Sequence, residues 1–578
     1  MQLNAGKIRR ERKFSIGNGA LAVLVDSAAN YWDRMIVEET VLVALEHFGM
    51  PYRLVDLAQG ELSQEALADC AAIVIAQSRL GMSLSERDNQ LIAEAVHDGA
   101  GLVNFDSDLR YYAPAYLEMF GFEGINPYPA ASNVLRVRRD EHYITGLQSE
   151  GEFHDFNRMV TTVIVRTWRP DVKPLAEIVL GKEQLVYIRH LCPHSAFEPG
   201  NHAVLFAGRW GDGKAVQFTI NPRVWRNAFF GHAQGMDDLF WRAITWAAVK
   251  PFAANMIPPF VTMSLDDCSG RHDFEYGDVA HNHGFVMMPS LMLNNIPQRL
   301  LPRIKSDMQA GKALYNSHAL DYYELMGYHF GRGERTHDEL ETVFAFEDEW
   351  WRKVGVEQPV TVRHHWGEYG HRMLSFLKQR GRVFFCPALQ VGLHKADQCM
   401  SDGYWPYNLQ SSYYDYLPND NAFFAFAAFG ARHTEDVLTG CTALHRESQR
   451  NDVDKAAEQA ARAMGAGLRC GFHGEFCSHE QKFEVLSLGE WDRILGRTSR
   501  LLAKYEPISV GHDEIAHYLK GQDGVHIADA GRRGDKIACQ LAGRTDVPLR
   551  VSVFTDEGAQ VRREYRSVES FSGQVNWD

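Results

Sequence analysis

An α/β protein of several domains is the fold class this sequence predicts, on three observations. From residue 14 to about 250, short apolar runs alternate with helical patterns. A second series of apolar runs, several ending in polar motifs, occupies 251–515. From 516 to 578, alternating runs are separated by Gly and Asp. Strands alternating with helices imply a layered α/β domain with a mostly parallel sheet, whereas strict alternation over short lengths implies half-buried antiparallel strands. A chain of 578 residues has room for about three to four domains.

The first domain, 1–250, is expected to carry strands at ALAVLVD (20–26), AAIVIAQ (71–77), AGLVNFD (100–106), HAVLFAG (202–208) and AVQFTIN (215–221), with a helix at MIVEETVLVALEHFG (35–49). PFAANMIPP at 251–259 reads as a linker, because its prolines disfavour continued helix. The runs GVHIADA, KIACQLAG, LRVSVFTD and QVRREYRS predict a small C-terminal β-sandwich-like domain over 516–578, either a glycan binder or a structural lid.

Composition removes several function classes. The net charge of -14 argues against a nucleic-acid partner, which requires clustered Lys and Arg, and the basic stretch Lys7–Lys13 reads as a solvated tail. No run approaches the roughly 20 apolar residues that span a bilayer. MQLNAGKIRRERKFSIGNG has no apolar segment behind its charges, so a cytoplasmic location is the default expectation, or a secreted one if a leader was removed. The nine dispersed cysteines contain no CxxC pair and are expected to be free thiols. The large N-terminal domain is a candidate for pairing in a homo-oligomer.

Four motifs carry the chemistry: SLDDCSG (264–270), NSHALDYY (316–323), VRHHWGEYG (362–370) and GFHGEFCSH (471–479). Together they hold a carboxylate pair, histidines and an arginine, the parts a metal-assisted hydrolase needs to ionise water and protonate a leaving group. Asp-Asp also serves as an ordinary turn or helix cap. His281 and His283 have the H-x-H spacing of another class of barrel hydrolase, acting on small or cyclic amides, but no apolar strand precedes them.

The order and spacing of these motifs over roughly 258–515 resemble the metal-dependent polysaccharide deacetylases, which act on acetylated sugars on an incomplete (β/α) barrel. PPFVTMSLDDCSG resembles their first motif, VRHHWGEYGHRMLSFLKQRG their third and LRCGFHGEFCSHE their last. The resemblance implies Asp266 as general base, Asp267 as a metal ligand, Arg363 as the partner that orients Asp266, and His473 as general acid. The second motif departs from the family, which has two histidines four apart, whereas Tyr322 stands four after His318. Asp321, three after it, shares a helix face with His318 and is expected to replace the missing imidazole. The expected ligands are therefore Asp267, His318 and Asp321, holding a divalent metal, Zn2+ in the first instance. A shift of one residue instead aligns Ser317 and Asp321 with the family pair and leaves His318 a buried structural histidine.

Trp366 offers a sugar platform or core packing. His364 and His365 are placed to touch substrate or complete the metal shell. Tyr404 and Trp405, in an aromatic loop, are expected to line a sugar cleft. The 1–250 domain resembles the class I glutamine-amidotransferase-like, flavodoxin-like domains, but neither Cys70 nor Cys192 sits on the glycine-flanked turn that a nucleophile there requires. It is expected to be non-catalytic. The function implied is metal-dependent deacetylation of an N- or O-acetylated carbohydrate. The alternatives are hydrolysis of another amide or cyclic amide, or a catalytically silent carbohydrate-binding protein.

Overall fold

A parallel strand buried on both faces reads as an unbroken apolar run, and the first such run, Leu21–Val25 (β1), is almost wholly buried. The computed structural model describes residues 17–138, 141–149, 151–180, 200–226, 232, 235–329, 333–365, 372–382, 384–385, 388–389, 424–425, 428–429, 453–484, 486–558 and 560–577. These form two compact units. One comprises Met1–His232, Met236–Met256 and Gly521–Asp578, and the other Ile257–Lys520 with Ala233–Gly235.

The first unit contains a nine-stranded sheet. Its strands are β1, Tyr52–Asp56 (β2), Ala72–Ile75 (β3), Gly101–Asn104 (β4), Ala130–Val137 (β5), Phe153–Thr162 (β6), Lys173–Leu180 (β7), Gly200–Trp210 (β8) and Gly213–Phe218 (β9), in the order β2-β1-β3-β4-β9-β8-β7-β5-β6. All five runs singled out in the sequence are strands here. The expectation of a mostly parallel sheet holds only from β2 to β9, since every pairing from β9 to β6 is antiparallel. Parallel neighbours need a crossover, and the connections from β5 to β6 and from β6 to β7 contain no helix among the described residues. β8 and β9 are joined by the two-residue turn Gly211-Asp212, where Gly211 takes the left-handed conformation (φ 56°) that such hairpins use.

The segment read as a linker contains a strand. Phe252–Ala254 (β10) pairs antiparallel with Leu549–Glu557, so the prolines at 251 and 258–259 bound a short strand. The C-terminal segment forms antiparallel strands as expected, contributing five strands to two three-stranded sheets, one of which β10 completes, and Gly521–Asp578 belongs to the first unit.

The second unit is built on Phe260–Cys268 (β11). This strand pairs in parallel with Met287–Met292 (β12) and with His473–His479 (β14), and β12 pairs in parallel with Asn316–Ala319 (β13). Helices Glu275–Asn282, Leu301–Gln309, Val453–Arg469 and Leu488–Leu502 alternate with these strands. The period of two along β11 divides its faces. Val261, Met263 and Leu265 join Phe476 and Trp491 in the apolar core, whereas Ser264 and Asp266 face Glu475 and Cys477 of β14 on a polar, buried side. Among the described residues no helix is long and apolar enough to cross a membrane.

Trp491 is completely buried and its indole N–H donates to the Tyr276 carbonyl at 3.1 Å. Trp491→Ala is expected to destabilise the protein by about 3–5 kcal/mol through the cavity it leaves, measurable as a lowered urea midpoint of tryptophan-independent circular dichroism.

Candidate active site

The site forms at the carboxyl ends of the parallel strands, where β11 stops being regular. In an even strand, consecutive residues point to opposite faces, so Asp266 and Asp267 could not both reach one site. The β11–β12 register shifts between Leu265 and Cys268, and Asp267 adopts a left-handed backbone (φ 57°), a conformation that costs most residues about 1–2 kcal/mol and that Asp tolerates comparatively well. This irregularity brings both carboxylates into the site. The loop that follows is fastened by the fully buried Glu480, whose carboxylate accepts from the N–H groups of Ser269, Gly270 and Arg271 (2.5, 3.1 and 2.9 Å) and from the Tyr276 hydroxyl (2.7 Å).

Asp267, His318 and His365 converge, each offering a ligand atom within 4.8 Å of the others. Nε2 of His318 and Nε2 of His365 each lie 3.5 Å from Asp267 Oδ1. The ring N–H at His318 Nδ1 donates to the Arg363 carbonyl at 2.8 Å. A carbonyl can only accept, so in the neutral imidazole the lone pair sits on Nε2, toward Asp267. Among the described residues, Asp267 Oδ1 and His318 Nε2 are buried with no hydrogen-bond partner. A buried carboxylate oxygen and an imidazole lone pair, both acceptors with no donor between them, suit a cation, and two imidazoles with one carboxylate are a ligand set that leaves a divalent metal an open position. Burial would raise the Asp267 pKa, but the facing His318, His479 and His365 imidazoles bring it below the usual carboxylate value.

His365, read from sequence as a substrate contact or a completer of the metal shell, thus stands where Asp321 was expected. Asp321 does not reach the group, because its Oδ1 accepts from the N–H groups of Tyr323 and Glu324 (2.8 and 2.9 Å) in a turn. The helix-face argument for Asp321 fails because His318 lies on strand β13, where a spacing of three does not bring side chains together. His364 points elsewhere, into a recess with Ser317 and Glu347, and burial pushes its imidazole down to about 3.

Beside this group, Arg363 Nε donates to Asp266 Oδ1 at 3.0 Å and its Nη1 to Glu475 Oε1 at 2.6 Å. Burial would raise the Asp266 pKa, but the Arg363 charge and hydrogen bond, with His318 and His479 nearby, hold it well below the usual carboxylate range. Its folded-state pKa is thus depressed, so ionised Asp266 contributes stability that is present above the ordinary carboxylate range and lost as the pH falls through the folded value. Glu475 is fully buried and also accepts from the Ser264 hydroxyl at 2.5 Å.

The structure does not bring His473 to Asp266. His473 begins β14, whereas Asp266 lies beside His479 at its end, six residues or about 20 Å along the strand. His473 is 1% exposed and faces Glu475 Oε2 at 3.6 Å, with His512 on the same oxygen at 3.4 Å, and burial lowers its pKa. His479 is 29% exposed at its side chain, and its Nε2 lies 3.8 Å from Asp267 Oδ2, which also accepts from Gln481 Nε2 at 3.2 Å. Both histidines share the alternation of HGEFCSH. The signal that separates them is strand polarity, since open α/β sheets place ligands beyond the carboxyl ends. Trp366, Tyr404 and Trp405 lie outside the described residues. His281 ends helix Glu275–Asn282 exposed, and His283 pairs with Asp492 at 2.9 Å, so neither joins the group.

No family model and no curated protein matches the chain. Solved structures do. That of Agd3, described as a novel carbohydrate deacetylase, aligns with a TM-score of 0.56 at 11% identity, covering 96% of this chain and 98% of its own. A family 4 carbohydrate esterase from Streptomyces lividans aligns at 9% identity and a TM-score of 0.25, over 44% of this chain and 92% of its own. The chitin deacetylase of Colletotrichum lindemuthianum aligns at 11% identity and 0.25, over 43% and 84%. The likeness to Agd3 is one of fold.

After loading with zinc and exhaustive dialysis, elemental analysis is expected to find about one ion per chain. His318→Ala and His365→Ala should each lose it, and Asp321→Ala should keep it.

Proposed function

We propose that the second unit is a metal-dependent hydrolase that removes acetyl groups from a carbohydrate. The observation that carries this reading is the convergence of Asp267, His318 and His365 beside an Asp266 carboxylate held ionised by Arg363. When bound by those three residues, a divalent ion such as zinc supplies Lewis acidity and a water of lowered pKa. Asp266 takes the proton of the attacking water, and Arg363 keeps its carboxylate aimed and unprotonated. His479, at the open end of β14, gives a proton to the departing sugar nitrogen or oxygen. Glu475 acts through Arg363, fixing the guanidinium from below. The sugar as substrate is supported by the fold shared with a carbohydrate deacetylase. Among the described residues of the first unit, Cys70 and Cys539 are both buried, and Cys192 lies outside the described residues. Burial pushes the Cys70 thiol up to about 11, so it is not a thiolate at neutral pH.

The deciding experiment is acetate release from a panel of N- and O-acetylated oligosaccharides, before and after chelation. Release that chelation abolishes and zinc restores supports the reading. Bound zinc without release from any member redirects it to other amides or esters, and a chain that binds no metal after reconstitution makes a carbohydrate-binding or structural role the better account.

Two further outcomes are expected. Asp266→Asn should lower kcat roughly 10²–10⁴-fold while zinc stays bound, as should His479→Ala on substrates with poor leaving groups. In Arg363→Met the partly exposed Asp266 loses its cation, so the acid limb of the kcat/KM profile should move to higher pH. An unmoved limb would remove Arg363 from this role.

A further inference from the structure

A cavity of about 270 Å³ lies in the first unit, at the carboxyl ends of β3, β4 and β9. β2 flanks β1 on one side and β3 on the other, so the order of strand addition reverses between β1 and β3, the place where doubly wound sheets open a crevice for ligands. Ser78 and Arg79 follow β3, Asp106 and Asp108 follow β4, and Arg223 follows β9, all lining the cavity.

Most of the charge around this cavity is already matched. Asp106 accepts from the N–H groups of Arg79, Asp108 and Gly81 and from the Tyr112 hydroxyl (2.8, 3.1, 3.2 and 3.0 Å). Arg79 Nη2 pairs with Asp33 at 2.7 Å, and Arg110 grips Asp108 through Nε and Nη2, both at 2.6 Å. Arg79 is held left-handed (φ 59°) to do so, a strained backbone at a cavity wall. Two groups remain. Among the described residues no carboxylate or other acceptor meets the Arg223 guanidinium, whose Nε is buried, and the buried Ser78 hydroxyl has no partner.

Guanidinium donates and never accepts, so what the cavity lacks is an acceptor with negative charge, for which a carboxylate is the bidentate fit. The volume is more than acetate fills and falls just below the roughly 300–1,000 Å³ of drug-sized sites, which sets the ligand at the scale of one sugar ring. Ser78 and Thr161 supply hydroxyls to its wall. We propose that this cavity binds a small polyhydroxylated monocarboxylate, a sugar acid of the hexuronate class, with its carboxylate on Arg223 and a hydroxyl on Ser78. The site is separate from the hydrolase centre and does not depend on its assignment.

The test is calorimetric titration of the full chain, stripped with chelator, with glucuronate and galacturonate, and with glucose, acetate and inorganic phosphate as comparisons. At least one uronate is expected to bind with one site per chain, and glucose, acetate and phosphate at least tenfold more weakly. Arg223→Gln should weaken the uronate at least tenfold, Arg223→Lys less, and Ser78→Ala by severalfold, with melting curves establishing that each variant folds. If Arg223→Gln does not fold, the Arg223→Lys and Ser78→Ala titrations decide. Absence of uronate binding, undiminished binding in the folded variants, or acetate or phosphate binding as tightly as the uronate would overturn the proposal. Because the chelated protein is used, loss of acetate-releasing activity and loss of uronate binding are read independently.

Discussion

Arg363 is the residue on which the rest of the site depends, because it acts from both its side chain and its backbone. The guanidinium joins Asp266 at the strand end to Glu475 deeper in the sheet, and the carbonyl fixes the tautomer of His318. A buried cation between two carboxylates is stable only when its donors are matched, and here Nε, Nη1 and Nη2 meet Asp266, Glu475 and Cys477 Sγ (3.0, 2.6 and 3.1 Å). Glu475 is in turn held by Ser264 and faced by His473 and His512. The chain of contacts therefore runs from a solvent-facing carboxylate down into a polar seam that the parallel strands enclose. Removing one member leaves charge buried without a partner, which costs more than any single contact contributes.

The strands were legible because burial on both faces writes itself as uninterrupted apolar sequence, as in Leu21–Val25 and Ala72–Ile75. The antiparallel half of the first sheet was less so. Its pairing is decided by connections, and the Gly211-Asp212 turn is a short signal between two long strands. Asp266, Asp267, His318 and Arg363 were found as a group, since each closes or follows a strand. The exchange of Asp321 for His365 could not be read locally: it required knowing that 316–319 is strand and that a residue 47 positions after His318 returns to it. His473 and His479 both alternate with apolar residues in the sequence, and only the direction of β14 separates them.

Two buried carboxylates illustrate different uses of the same group. Glu480 takes three backbone N–H groups and a tyrosine hydroxyl, and so serves the loop after β11 as a fixed anchor. Asp267, also buried, receives one amide on Oδ2 and leaves Oδ1 facing two imidazoles. The contrast in satisfied and unsatisfied oxygens separates a scaffold from a binding position.

The left-handed backbone at 267 has a consequence for how such a protein can change over generations. The residues that tolerate that conformation best are Gly, Asn and Asp, and in the genetic code Asn and Gly each lie one base away from Asp. Selection on the backbone therefore keeps open the very substitutions that remove the carboxylate charge while leaving the fold undisturbed. On the proposed reading of Asp267 as a metal ligand, a lineage would fall silent at this position in a single step and, by the reverse step, regain the acid, so loss of chemistry there need not be accompanied by loss of the protein.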